Sequence, residues 1–151
     1  PRVNILNPGC GVGGHCISVD PWFIVDSANG KAKIIEQARR TNDHKANWVI
    51  DKVKSAVLIY KKEHGKIPTI ACMGLAFKPN IDDLRESPAL YIAQELNKVF
   101  DVVVVEPNIS KHDSLKLVET DIGIQSDICV YLVPHVDFKS LHVKNEDLTF
   151  F

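Results

Sequence analysis

The chain has 151 residues, 45% of them hydrophobic and 25% charged, with a formal net charge of −1. That length holds one well-filled core, or one core with a helical appendage. The near-neutral charge offers no electrostatic ground for a nucleic-acid partner, and no apolar run approaches the ~20 residues that span a bilayer. No signal-type leader opens the sequence, so the cytoplasm is the expected location. The first residue is Pro1 rather than Met, and Leu148-Thr149-Phe150-Phe151 reads as part of a strand, so a piece of a longer chain is expected.

In chain order, the first feature is the loop from Asn7 to Ser18, with Gly9, Gly11, Gly13 and Gly14. Glycines so closely spaced let the backbone turn sharply and approach a ligand, because no side chain holds it off. Arg2, just ahead, reads either as an anion ligand or as a solvated surface charge. Asp20 as N-cap, Pro21 as first helical residue and the apolar Trp22-Phe23-Ile24-Val25 predict a helix start. Cys16 then lies between a glycine loop and a helix N-terminus, where the thiolate is favoured.

From Ala32 to about His64, Ile34, Ile35 and Ala38, then Val49, Val53, Ala56, Val57 and Tyr60, recur at three and four residues. This predicts a helix, broken or bent near Asn42-Asp43, with lysines on its solvated face and Gly65 as C-cap. The period then changes. Buried strands are predicted at Thr69–Met73, Val102–Val105 and Ile128–Val133, with helices at Pro88–Asn97, capped by Ser87, and around Leu115–Glu119. The fold class is α/β: a helical segment over residues 1–65, then a Rossmann-like parallel sheet over 66–151.

Gly74 after the first strand and Glu106 after the second invite a dinucleotide-binding reading. A fingerprint, however, needs glycines where Ala76 and Pro79 stand, and Gly74 to Glu106 exceeds the usual ~20 residues to the ribose acid. No primary NAD site is assigned within this chain. Lys78 and Arg85, in the loop at the C-terminal end of that strand, are either ligand cations or surface charges, Arg85 pairing with Asp82, Asp83 or Glu86.

The four cysteines, Cys10 and Cys16 in the loop and Cys72 and Cys129 in apolar runs, suggest reduced thiols rather than a disulfide framework. Cys10, His15 and Cys16 lack a fourth ligand or a Cys-x-x-Cys pair, so no metal is assigned, and Cys16 reads as a nucleophile with Cys10 a small apolar filler. Asp20 is either a plain helix cap or an acid/base group.

The string Gly11-Val12-Gly13-Gly14-His15-Cys16-Ile17 to Asp20-Pro21-Trp22-Phe23 resembles the cysteine loop of the UDP-glucose/GDP-mannose dehydrogenase family. Gly74-Leu75-Ala76-Phe77-Lys78-Pro79 to Arg85-Glu86-Ser87-Pro88 resembles its later signature. The His15-Cys16 pair, and Val19 where another branch has Lys, resemble the UDP-N-acetylhexosamine branch. The resemblance implies NAD-dependent oxidation of a sugar C6 alcohol, UDP-N-acetylmannosamine being the expected substrate. It implies Cys16 as thioester-forming nucleophile, Asp20 as its acid/base partner, and Arg2, Gly13, Phe77 and Lys78 at the UDP-sugar. Arg85 would touch an NAD held mainly by another domain, and a homodimer is implied, with Arg2 reaching the neighbouring subunit. The rival from another class is a non-catalytic nucleotide-sugar-binding or dimerisation module, which would not need an exposed, reactive Cys16.

Overall fold

The computed structural model describes residues 7–151. Helices α1 (Asp20–Ser27) and α2 (Lys33–His64) come first. Strand β1 (Ile70–Met73), helix α3 (Pro88–Asn97), β2 (Val102–Val105), β3 (Lys116–Leu117), α4 (Thr120–Gly123), β4 (Ile128–Tyr131) and β5 (Leu148–Thr149) follow. The five strands are all parallel, in the order β3-β2-β1-β4-β5. Rossmann-like α/β topology is therefore present, as expected, and β1 and β4 flank the point at which strand order reverses.

Alternation along the strands sorts side chains to two faces. Ile70, Cys72, Val102, Val104, Ile128 and Val130 share one core with Val49, Val53 and Val57 of α2 and Ile92 and Leu96 of α3. Ala71, Met73, Val105, Cys129 and Tyr131 face the other way, against Phe138 and Ile124. Asp127 fastens α2 to the sheet: it accepts from Tyr60 Oη and Lys66 Nζ, both at 2.8 Å, and from Thr69 N at 2.8 Å. Burial alone would raise the Asp127 carboxyl, but these donors outweigh it and hold the pKa well below the carboxylate range.

Ser87 caps α3, accepting from Leu90 N, and Gly65 closes α2, both as expected. Other expectations are corrected. Helix α2 runs unbroken for 32 residues, because Asn42 and Asp43 turn outward to partners instead of competing with the backbone: Asn42 bonds Val12, and Asp43 pairs with Arg39 one turn back at 2.9 Å. Asp20 is the first helical residue of α1 and makes no side-chain cap, Val19 being the N-cap. The preceding turn is already helical there, and the Cys16 carbonyl takes the Asp20 N–H at 2.8 Å. The segment expected as a helix at Leu115–Glu119 instead forms β3, pairing with Val103 and Val104 of β2. Buried Leu115, exposed Lys116 and half-buried Leu117 follow a strand's period.

The expected strand Ile128–Val133 ends at Tyr131, since Leu132 and Val133 both donate to the Met73 carbonyl and carry the chain across the end of β1. The sheet's C-terminal edge at the switch point is thereby built from two loops, one after β1 and one after β4.

Candidate functional site

The glycine loop lies against the loop that follows β1. Gly14 N donates to the Arg85 carbonyl at 3.1 Å, and Phe77 N donates to Asp83 O at 3.1 Å, closing the β1–α3 loop on itself. Gly13 is a contact point: a Cβ there would lie 2.2 Å from Glu86 O and 3.0 Å from Phe77 Cβ, so any side chain would pry the two loops apart. Asn42 holds the other flank of the glycine loop through both backbone groups of Val12.

Between the loops lies a cavity of about 550 Å³, at the C-terminal ends of β1 and β4, where open α/β sheets receive ligands. Gly13, Phe77 and Lys78 line it, over a floor of Ala76, Leu132 and Val133, and Lys78 is the one charged residue among the described lining groups. The Lys78 ammonium is 5.6 Å from the centroid of the Phe77 ring. Arg2 lies outside the described residues. Cys16 and Asp20 are both exposed and do not line this cavity; Cys16 is one turn ahead of α1, three residues beyond Gly13.

Arg85 is engaged by a neighbour. Its Nε donates to both Asp83 oxygens at 3.0 and 3.1 Å, and its Nη2 to Oδ2 at 2.6 Å, the pairing weighed from sequence. The Arg85 bonds hold the Asp83 carboxyl down at about 2. The other thiols differ from Cys16. Cys10 is buried and donates to the Leu132 carbonyl at 3.5 Å, and burial pushes it up to about 11. Burial likewise raises Cys72 to about 12 and Cys129 to about 11.

Sequence reasoning missed a buried polar cluster beside the cavity. Glu106, whose side chain is fully buried, accepts from Leu75 N at 2.7 Å, Ala76 N at 3.1 Å and His135 Nε2 at 3.1 Å on one oxygen, and from Asn108 on the other. Burial raises this carboxyl, but the bonds from His135, Leu75 and Asn108 win and hold it at about 2. The cluster explains the missing fingerprint. The N–H groups of the first βα turn, which in a dinucleotide site face a pyrophosphate, are here taken by an internal carboxylate. The residues of this turn do not fit a dinucleotide.

Residues 71–148 match the family described as UDP-glucose/GDP-mannose dehydrogenase family, UDP binding domain, and residues 1–44 match the central domain of the same family. The chain belongs to the UDP-glucose/GDP-mannose dehydrogenase family. It is 51% identical over 152 residues to a UDP-N-acetyl-D-mannosamine dehydrogenase of Salmonella typhi, covering 93% of this chain and 36% of that protein. An NDP-N-acetyl-D-galactosaminuronic acid dehydrogenase of Ralstonia nicotianae is 49% identical over 148 residues, covering 93% and 34%. Among solved structures, a UDP-D-ManNAc dehydrogenase from Pyrococcus horikoshii superposes with a TM-score of 0.76 at 31% identity, covering 94% of this chain and 33% of that one. The chain thus spans about a third of the length of these relatives. Among the described residues no helix is long and apolar enough to cross a membrane.

Proposed function

We propose that the protein carrying this chain is an NAD-dependent UDP-sugar 6-dehydrogenase that oxidises the C6 alcohol of UDP-N-acetyl-D-mannosamine to the uronic acid through a thioester on Cys16. The observation that carries the reading is the cavity at the switch point, walled by the glycine loop on one side and the Phe77-Lys78 turn on the other. Its apolar floor suits a nucleoside, and Lys78 supplies a cation for a diphosphate. Residues 1–65 are read as the end of a central helical dimerisation domain and residues 66–151 as the UDP-sugar-binding domain. Exposed Ile17, Phe23 and Ile34 support a homodimer, with Arg2 a second cation for the diphosphate across its interface.

In this reading Cys16 acts once the C6 aldehyde exists: its sulfur bonds to the carbonyl carbon, the π pair moves to oxygen, and that oxygen takes a proton. Renewed oxidation leaves an acyl group on sulfur. Asp20 then takes a proton from water as the water adds, the C–S bond breaks with its electron pair leaving on sulfur, and Asp20 returns the proton to restore the thiol. When bound, NAD would supply the oxidant for both two-electron oxidations, accepting the C6 hydride in each while the accompanying hydroxyl proton leaves to solvent. It is held mainly by residues outside this chain, with Arg85 at its edge, so the chain alone binds the sugar nucleotide without turning it over.

The test is calorimetry of the chain with UDP, UDP-N-acetylmannosamine and NAD+ in turn. Binding of both uridine ligands, weakened roughly tenfold or more by Lys78→Ala and absent for NAD+, is expected. Failure to bind UDP would sink the reading.

A further inference from the structure

The geometry points to His135 as a positioning residue that sets the Phe77-Lys78 turn for a uridine diphosphate group, acting through Asn80. The inference rests on the nucleotide reading of the cavity but concerns a residue that neither lines that cavity nor drew any expectation from the sequence.

Asn80 ends the turn two residues after Lys78, with φ +62°, a left-handed conformation that a residue with a side chain adopts at a cost. It is held there by two bonds to one segment of the β4 loop. Its N–H donates to His135 Nδ1 at 3.0 Å, and its Oδ1 accepts the Val136 N–H at 2.9 Å. Because Nδ1 accepts, the ring proton sits on Nε2, where it donates to Glu106 at 3.1 Å. His135 is completely buried, its ring edge-on to Phe138 at 5.3 Å, so the imidazole has no freedom to follow the turn if the turn moves.

Gly74, with φ +94°, lets the β1 end pass over this ring: a Cβ there would meet Val133 at 2.6 Å and His135 Cδ2 at 3.2 Å. The imidazole thus relays position from the buried Glu106, itself clamped by Leu75 and Ala76 at the root of the turn, to Asn80 at its tip. Lys78 is exposed and makes no hydrogen bond among the described residues, so its placement over the cavity depends on the backbone that His135 fixes.

Two near-isosteric substitutions divide the two functions of the ring. His135→Asn keeps an acceptor where Nδ1 stood and loses the donor to Glu106, whereas His135→Gln keeps a donor where Nε2 stood and loses the acceptor that the Asn80 N–H shares with Asn108 Nδ2, at 3.0 and 3.2 Å. Both lower the melting temperature, which a purely structural role would also produce. UDP titration separates them. His135→Gln is expected to weaken UDP binding roughly tenfold and to speed hydrogen exchange of the Asn80 amide, while His135→Asn stays within about threefold of wild type in both. Equal losses in the two variants, or no loss in either while wild type binds UDP, overturn the role of His135. A wild-type protein that binds no UDP overturns the nucleotide reading itself, and this role with it.

Discussion

Asn42, ten residues into α2, clasps Val12 by both its backbone groups: Oδ1 accepts the Val12 N–H at 2.7 Å and Nδ2 donates to its carbonyl at 3.3 Å. An amide in mid-helix is a poor helix former, and here its side chain serves tertiary structure by pinning the glycine loop. Asn42→Ala should cost about 1–2 kcal/mol of stability through the two lost bonds. Urea unfolding would read this as a lower midpoint at unchanged slope; an unchanged midpoint would mean that the clasp carries no net stability.

Thiol chemistry should discriminate the four cysteines. With Cys16 exposed and Cys10, Cys72 and Cys129 buried with raised pKa values, neutral-pH alkylation of the folded chain should label Cys16 well before the others. Peptide mapping that finds Cys16 as slow as Cys72 would remove the physical basis for a nucleophile there. In the complete enzyme Cys16→Ser should stop acid formation and leave part of the first oxidation.

Acid should unfold the chain through two hydrogen-bonded carboxylates, buried Glu106 and half-buried Asp127. Glu106 is held at about 2 in the fold against 4.5 for the free group, and Asp127 is also depressed. A depressed folded pKa means that the stabilisation is fully present above the free value and disappears as pH falls through the folded one. Stability should therefore decline from about pH 4.5 to about pH 2. Glu106→Gln should cost ~2–3 kcal/mol at neutral pH, by leaving backbone N–H groups short of an acceptor, and should flatten that acid limb. An acid limb as steep as wild type's in the variant would contradict the assignment.

Substrate choice is predicted for the complete enzyme. A site shaped for a 2-acetamido group leaves polar groups unpaired when offered a plain 2-hydroxyl, so kcat/KM should favour UDP-N-acetylmannosamine over UDP-glucose. Comparison of the two sugars, with UDP-N-acetylglucosamine, on one preparation decides it; equal or better turnover of UDP-glucose would refute the branch assignment and leave the dehydrogenase reading standing.

Much of this was legible from local chemistry. Ser87-Pro88 announced α3, Gly65 ended α2, and the run Val102–Val105 announced β2, because caps, proline and β-branched runs act within a few residues of themselves. The exposed Cys16 beside a glycine turn was also legible, since residue type and spacing carry it. What failed were the local signals that a distant partner overrides. Asn42-Asp43 looked like a break until Val12 and Arg39 took their side chains, and Leu115–Glu119 looked helical until β2 offered it an edge to pair with.

Glu106 shows the division most clearly. From sequence it was an acidic residue at the end of a strand, near the place a ribose would ask for one; the absent glycines argued against that role without saying what the residue does. Only the fold brings Leu75, Ala76, Asn108 and His135 around it, from three separate loops. An acidic residue reads the same in any sequence, whereas the donors that claim Glu106 are brought to it by chain segments up to 31 residues away, and no local pattern encodes that choice.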